Sequence, residues 1–297
     1  MILKQKDDIS SQVQSLEALL SRRDLSKFQR DDIENQLWML QAGARGEKEA
    51  AYHIDFRYKN GQSAVIHDLR IEHAGRVAQI DHLIVTRFLD VHVVESKAFG
   101  GEIRVSADGE WEAKTRHGWH GMPSPVEQNR RHIEVLESFI RDRGLAPKRL
   151  GMSLPIHFHN WVLVAPTCRL QRSGNSWDNV VKMDMFEKRL LEQIDKLGPV
   201  AVFSTAAKVV SAETVTALAR ELIASHRPTA FDYPARFGIR EHTQGTPEEP
   251  TPASTQKNCQ GCGAALEPKV VAFCRYNSRR FGKRLLCRDC QTKAIIA

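Results

Sequence analysis

The chain has 297 residues, with 43 Lys and Arg against 36 Asp and Glu and six cysteines, which gives room for one sizeable α/β core plus smaller modules. No apolar run reaches the length of a membrane span and the first residues lack the apolar core of a signal peptide, so the expectation is a cytoplasmic protein, without membrane contact, whose cysteines are reduced or metal-bound. The charge is uneven: residues 257–297 hold nine Lys and Arg and two Asp and Glu, which equals the whole-chain excess of +7, so affinity for a phosphate backbone is expected in that tail.

In chain order, residues 1–42 read as helical, with Ile9, Val13, Leu16 and Leu20 on one stripe, Ile33, Leu37 and Leu40 on another, and a break near Arg23–Ser26. This predicts a helical hairpin that packs on the core or on a second copy of itself, the latter giving a homo-oligomer through the N-terminal helices. Gly43 and Gly46 are read as ending that helix, and the main domain as running over 43–225. Residues 64–71 predict a strand. Gln79–Val85 and Val91–Lys97 then predict a β-hairpin across Thr86–Asp90. Centred on Phe88, its residue i faces residue 176 minus i, so Asp81 faces Glu95 and Lys97 lies on the same face. His82 falls on the opposite face.

Glu102–Val105 and Glu110–Lys114 predict a second strand pair across Asp108-Gly109, while His117, Trp119 and His120 read as a surface loop. Ser124 and Pro125 cap a helix running to about Arg143, with Ile133, Leu136 and Ile140 inward and Gln128 and His132 one turn apart near its start. Further strands are predicted at 159–164, 180–183 and 200–204, and helices at 185–197 and 212–225. Residues 226–256, rich in Pro, Thr, Ser and Gln, read as a linker.

Two facing carboxylates can chelate one hard divalent cation, with water and a substrate phosphate oxygen completing the shell, and an adjacent Lys97 can orient water or stabilise charge on phosphorus. The alternative, an exposed ion network, is disfavoured by the apolar runs on either side. Around these residues stands an ordered set: Gly46-Glu47-Lys48-Glu49, Gln79-Ile80-Asp81-His82, Glu95-Ser96-Lys97 followed by Gly100-Gly101, Trp111, and Pro125-Val126-Glu127-Gln128-Asn129. On this set, roughly residues 43 to 150 resemble the PD-(D/E)xK nucleases and, more closely, their nuclease-related domain (NERD) family. The resemblance implies an α/β, restriction-endonuclease-like mixed sheet flanked by helices. It also implies Asp81 and Glu95 as Mg²⁺ (or Mn²⁺) ligands, Lys97 as the catalytic lysine, Glu47 as a supporting carboxylate and Gln128 as a polar contributor. Ile80 stands where many such enzymes carry proline.

Cys259-Gln260-Gly261-Cys262 and Cys287-Arg288-Asp289-Cys290 are paired knuckles suited to one Zn²⁺, which a span as short as 257–297 needs in order to fold. Cys274, between them, is a competing ligand, and Cys168 reads as a buried thiol. Arg275, Arg279, Arg280, Lys283 and Arg284, mixed with Tyr276 and Phe281, suit backbone contact and base stacking on nucleic acid. The expectation is therefore a Mg²⁺-dependent deoxyribonuclease with a basic zinc-ribbon tail that binds DNA. The rivals are a catalytically silent nucleic-acid-binding protein and a protein-interaction module.

Overall fold

The computed structural model describes residues 1–174, 177–196, 209–239, 257–276, 281 and 284–293. The chain divides into two compact units, 1–241 and 242–297.

The first unit is built on a six-stranded mixed sheet in the order β1 (Ile2–Lys4), β2 (Ala64–His73), β3 (Arg76–Val85), β4 (Asp90–Lys97), β10 (His157–Val164) and β12 (Val180–Lys182). β2, β3 and β4 form an antiparallel meander, and β1, β10 and β12 join in parallel at its edges. A second sheet of four strands, in the order β11 (Arg169–Arg172), β5 (Glu102–Val105), β6 (Trp111–Thr115) and β7 (Gly118–Met122), packs Ile103, Val105 and Trp111 against Val162 and Val164. Strands β8 (Lys148–Arg149) and β9 (Met152–Ser153) form a small hairpin.

Helix α1 (Ser10–Leu20) and helix α2 (Lys27–Tyr58) make the expected N-terminal hairpin, with Ser26 and Gln29 forming a reciprocal cap on α2. The sequence-predicted break at Gly43 and Gly46 is absent, and α2 runs through both residues. Gly46 is there for contact: a Cβ at this position would lie 2.3 Å from the Cβ of Ala98, so only glycine lets the helix approach the end of β4 this closely. Beyond it, Ala50, Ile54 and Tyr58 bury one face of the main sheet together with Val65, Ile84, Val94 and Trp161. A 3₁₀ turn (Met183–Met185) and helix α4 (Phe186–Asp195) complete that layer. Helix α3 (Pro125–Asp142), capped by Ser124 as expected, and helix α5 (Ala212–Ala224) cover the other face, where Leu136, Phe139, Leu218 and Leu222 meet Ile66, Leu83, Val91 and Val93.

Strand β1 lies where helix was expected: its three residues are too few to show a period, and pairing with β2 fixes them. Strands β7 and β11 were also unforeseen. Trp119, assigned to a loop, lies on β7 beneath the Arg104 guanidinium, 4.4 Å from its ring centre. Residues 226–239 depart from a linker as well. Tyr233, in helix α6 (Tyr233–Arg236), Phe237 and Ile239 are buried against Leu16, Leu19 and Ile33 of the hairpin, and these anchors outweigh the proline-rich composition around them. Residues 240–256 and the strand expected at 200–204 lie outside the described residues.

Among the described residues the second unit holds helix α7 (Pro268–Tyr276), helix α8 (Arg288–Lys293) and an isolated β-bridge, Asn258 to Ala265. Cys259, Leu266, Cys274, Phe281 and Leu286 form its core. No helix among the described residues is long and apolar enough to cross a membrane.

Candidate active site and cysteine centre

The β3–β4 pairing follows the expected register from Val85 opposite Val91 to His82 opposite Val94, and then stops. The next rung, Asp81 with Glu95, is not formed. Two local features explain the divergence. Asp68, on the neighbouring strand, has φ +55°, a left-handed conformation uncommon for a residue other than glycine. The pairing of β2 with β3 skips Asp68 and Asp81, between His67 with His82 and Leu69 with Ile80. Across that gap both strands shift side-chain phase: Ile66 and Leu69 line one cluster, as do Ile80 and Leu83. Freed from the ladder, the Asp81 carboxylate takes both the backbone N–H and the hydroxyl of Ser96, each at 2.8 Å through Oδ2. A side chain thus replaces the backbone acceptor that β4 would have met on β3.

Glu95 is buried, at 3 % exposure. Its Oε1 accepts from Lys97 Nζ at 2.7 Å and from Gln128 Nε2 at 3.0 Å, while Gln128 Oε1 lies 3.5 Å from the same ammonium. Gln128, one turn into α3, therefore fixes both partners of the Glu95–Lys97 pair. The other oxygen, Glu95 Oε2, is buried with no hydrogen-bond partner. Glu47 reaches the cluster from α2 and is ion-paired with Lys6, which follows β1.

Burial pushes the Glu95 carboxyl up to about 8, the Asp81 charge adds to the rise, and Lys97 opposes it. Glu47 is pushed up to about 7 by burial and then by Asp81, against the pull of Lys6. Asp81 is raised by burial as well, with the two Ser96 bonds and the Lys97 and Lys6 charges pulling the other way. Three carboxylates raised by burial, with the Asp81 charge raising the other two and one of them carrying an orphaned buried oxygen, form a site short of positive charge. This donor set, all hard oxygen, fits a divalent cation such as Mg²⁺ or Mn²⁺. The three are splayed, since their oxygens do not all fall within 4.8 Å of one another.

Residues 42–164 match the model of the nuclease-related domain, NERD. The NERD segment opens within α2, five residues before Glu47, ends with β10, and holds Glu47, Asp81, Glu95, Lys97 and Gln128. No curated protein and no solved structure matches the chain.

Lys6, Asp68 and the side-chain role of Ser96 were not foreseen. Lys6 lies outside the NERD segment and reaches Glu47 only because β1 pairs with β2, so no local pattern marks it. Beside Asp81 and Glu47 opens a cleft of about 590 Å³, bordered by Lys6, Asp68, Arg70 and Gln79 and walled by α1 and residues 228–233. His82 stands apart from the cluster, as expected. It is bonded at 2.8 Å to His67, which is bonded at 2.9 Å to Asp55 of α2, and burial holds both imidazoles below their ordinary pKa. His132, on α3, is pushed down to about 4 by burial and by the charges of Arg131 and Lys97.

In the second unit the sulfurs of Cys259, Cys262, Cys287 and Cys290 all lie within 4.8 Å of one another, a set that fits tetrahedral Zn²⁺. Cys259 Sγ accepts the N–H groups of Cys287 at 3.1 Å and Gly261 at 3.4 Å, and these bonds bring its thiol down to about 6. Gly261 is closely packed, since a Cβ there would lie 3.0 Å from Cys290 Sγ and would push that sulfur by a few tenths of an ångström. Cys274 is not part of the set: its sulfur is buried against the N–H of Leu286 and the amide of Gln291. Cys168 is buried in the core, as expected. Arg275 and Arg284 are exposed; Arg279, Arg280 and Lys283 lie outside the described residues.

Proposed function

We propose that the chain is a Mg²⁺- or Mn²⁺-dependent deoxyribonuclease that hydrolyses phosphodiester bonds at the Asp81–Glu95–Lys97 cluster. The observation that carries this reading is Glu95, a buried carboxylate with one oxygen orphaned and the other held by Lys97 and Gln128, inside a segment that matches the NERD model. Asp81 and Glu95 would hold the cation. Once bound, it supplies Lewis-acid polarisation of the phosphate and acidifies its water. Ser96 fixes the Asp81 carboxylate with two hydrogen bonds. Lys97 balances the carboxylates at rest and is placed to stabilise negative charge developing on phosphorus. Gln128 keeps Lys97 and Glu95 in register, and Glu47 with Lys6 forms the outer side of the cluster. The basic cysteine unit, holding Zn²⁺ on its four thiolates, acts as a tethered nucleic-acid-binding tail that raises local substrate concentration.

The test is cleavage of single-stranded, duplex and branched DNA, and of RNA, by the full chain with Mg²⁺, Mn²⁺ or EDTA. Asp81→Asn and Lys97→Ala variants with unchanged circular dichroism run alongside. Metal-dependent products lost in both variants establish the reading. Intact DNA binding without products from any of the three proteins leaves a silent binding module instead.

A further inference from the structure

The face of α2 that turns away from the sheet carries a stripe of exposed side chains. Trp38, Arg45, Glu49, Tyr52 and Phe56 fall within about 60° on the helical wheel. Trp38, Tyr52 and Phe56 are 66 %, 68 % and 79 % exposed, and Arg45 and Glu49 make no ion pair among the described residues. Beside Tyr52 and Phe56 a hollow of about 320 Å³ opens between α2 and the 3₁₀ turn leading into α4. It is lined also by His53, Met183, Asp184 and Glu187, and the carboxylates of the last two leave an acceptor within reach of an indole N–H. Within one chain Trp38 stands about 21 Å along the helix from Tyr52, so its indole cannot reach this hollow.

The stripe is palindromic in chemistry. Laid antiparallel on a second copy about a two-fold axis at residue 47, residue i meets residue 94 minus i. Trp38 then meets Phe56, the small Ala42 meets the large Tyr52, and Arg45 meets Glu49, each contact occurring twice. Glu47 and the buried Gly46 face inward, so neither active site is covered. We propose that this face of α2 is the interface of a two-fold homodimer, with each Trp38 indole seated in the hollow beside Tyr52 and Phe56 of the other copy. The three aromatic side chains supply roughly 400 Å² per copy, about 800 Å² in all, which is below the roughly 1,200 Å² at which standard specific interfaces begin, so the dimer is a weak, transient one whose register is set by the two Arg45–Glu49 pairs.

Sedimentation velocity of the full chain across micromolar concentrations tests this. The wild type is expected to pass from monomer to dimer, and Trp38→Ala to weaken association at least about tenfold. Arg45→Glu places glutamate against Glu49, and Glu49→Arg places arginine against Arg45, so each variant alone stays monomeric with unchanged circular dichroism. Mixed, they pair, because both contacts become complementary; the double variant carrying both changes also dimerises. A wild type that stays monomeric throughout overturns the proposal and leaves the stripe to a different protein. So does a dimer indifferent to Trp38→Ala and both charge reversals, or a mixture of the reversals that stays monomeric.

Discussion

Replacing Gly46 with alanine probes the contact that sets Glu47 against the strands. On an exposed helix the change would stabilise by about 1 kcal/mol, since alanine is the better helix former. Here the new Cβ would lie 2.3 Å from Ala98 Cβ, against at least 3.4 Å for an ordinary contact, so α2 must retreat by about 1.1 Å. Both atoms are bonded directly to backbone and cannot rotate away. Overpacking of this kind costs about 3 kcal/mol at its upper end, for a net loss of about 2 kcal/mol. Ala98→Gly in the same chain removes the colliding atom and leaves the Ala98 Cα and N at 3.1 and 3.3 Å, which a small shift relieves. The double variant should therefore recover most of the loss and show a coupling of about 2 kcal/mol. The assay is urea unfolding followed by tryptophan fluorescence, because all five tryptophans lie between residues 38 and 177, so the signal reports the first unit alone. A Gly46→Ala protein as stable as the parent, or a loss that Ala98→Gly leaves untouched, would refute the close packing of α2 on β4.

The raised carboxyls of Glu95 and Glu47 make the metal-free fold bind more protons than the unfolded chain. Their contribution is complete below about pH 4.5 and is lost as pH rises through 7 and 8. The depressed histidines 67, 82, 92 and 132 act oppositely, but only below their ordinary value of 6.5; above it the N-terminal amine, which burial lowers from 8.0, still opposes the carboxyls, so Glu95 is read from the difference between the parent and Glu95→Gln. In EDTA the urea midpoint should fall between pH 6.5 and 8.5, with Glu95 contributing roughly 2 kcal/mol, and Glu95→Gln should flatten the slope; an unchanged slope would show that Glu95 titrates normally. Under the nuclease reading, millimolar Mg²⁺ at pH 8 restores the wild-type midpoint and leaves that of Asp81→Asn unmoved; equal shifts in both proteins would place the ion elsewhere. For the cysteine unit, elemental analysis should find one Zn²⁺ per chain in the wild type and in Cys274→Ser but none in Cys262→Ser, and loss of zinc from Cys274→Ser would contradict the separation of Cys274 from the thiolate cluster.

Much of this arrangement was legible where it is local. The β3–β4 register follows from two apolar runs and a short turn, the α3 boundary from Ser124 and Pro125, and the cysteine cluster from its spacing. Pairing arithmetic failed at Asp81 because nothing in a strand pattern shows that Asp68, on the next strand, adopts a left-handed φ and resets the side-chain phase. Gly46 was misread for a related reason. Glycine marks a helix end when backbone freedom is needed and a close contact when space is needed, and only the position of Ala98 tells the two apart. Lys6 and Tyr233 depend on pairings with residues 41 and 221 positions away, Glu47 and Gln12, beyond the reach of any periodicity.

The unbroken course of α2 also has a mechanical consequence. Lys27–Tyr58 is a rod of about 48 Å, gripped near one end by the hairpin core at Ile33, near the other by the sheet at Ile54, and resting on Ala98 at Gly46 between them. A helix without a kink transmits tilt along its whole length, so the Gly46–Ala98 contact works as a fulcrum. The angle of Glu47 over the strands is set from both ends of this lever. A change in hairpin packing some 20 Å away alters the same angle, carried by backbone rather than through any chain of side-chain contacts.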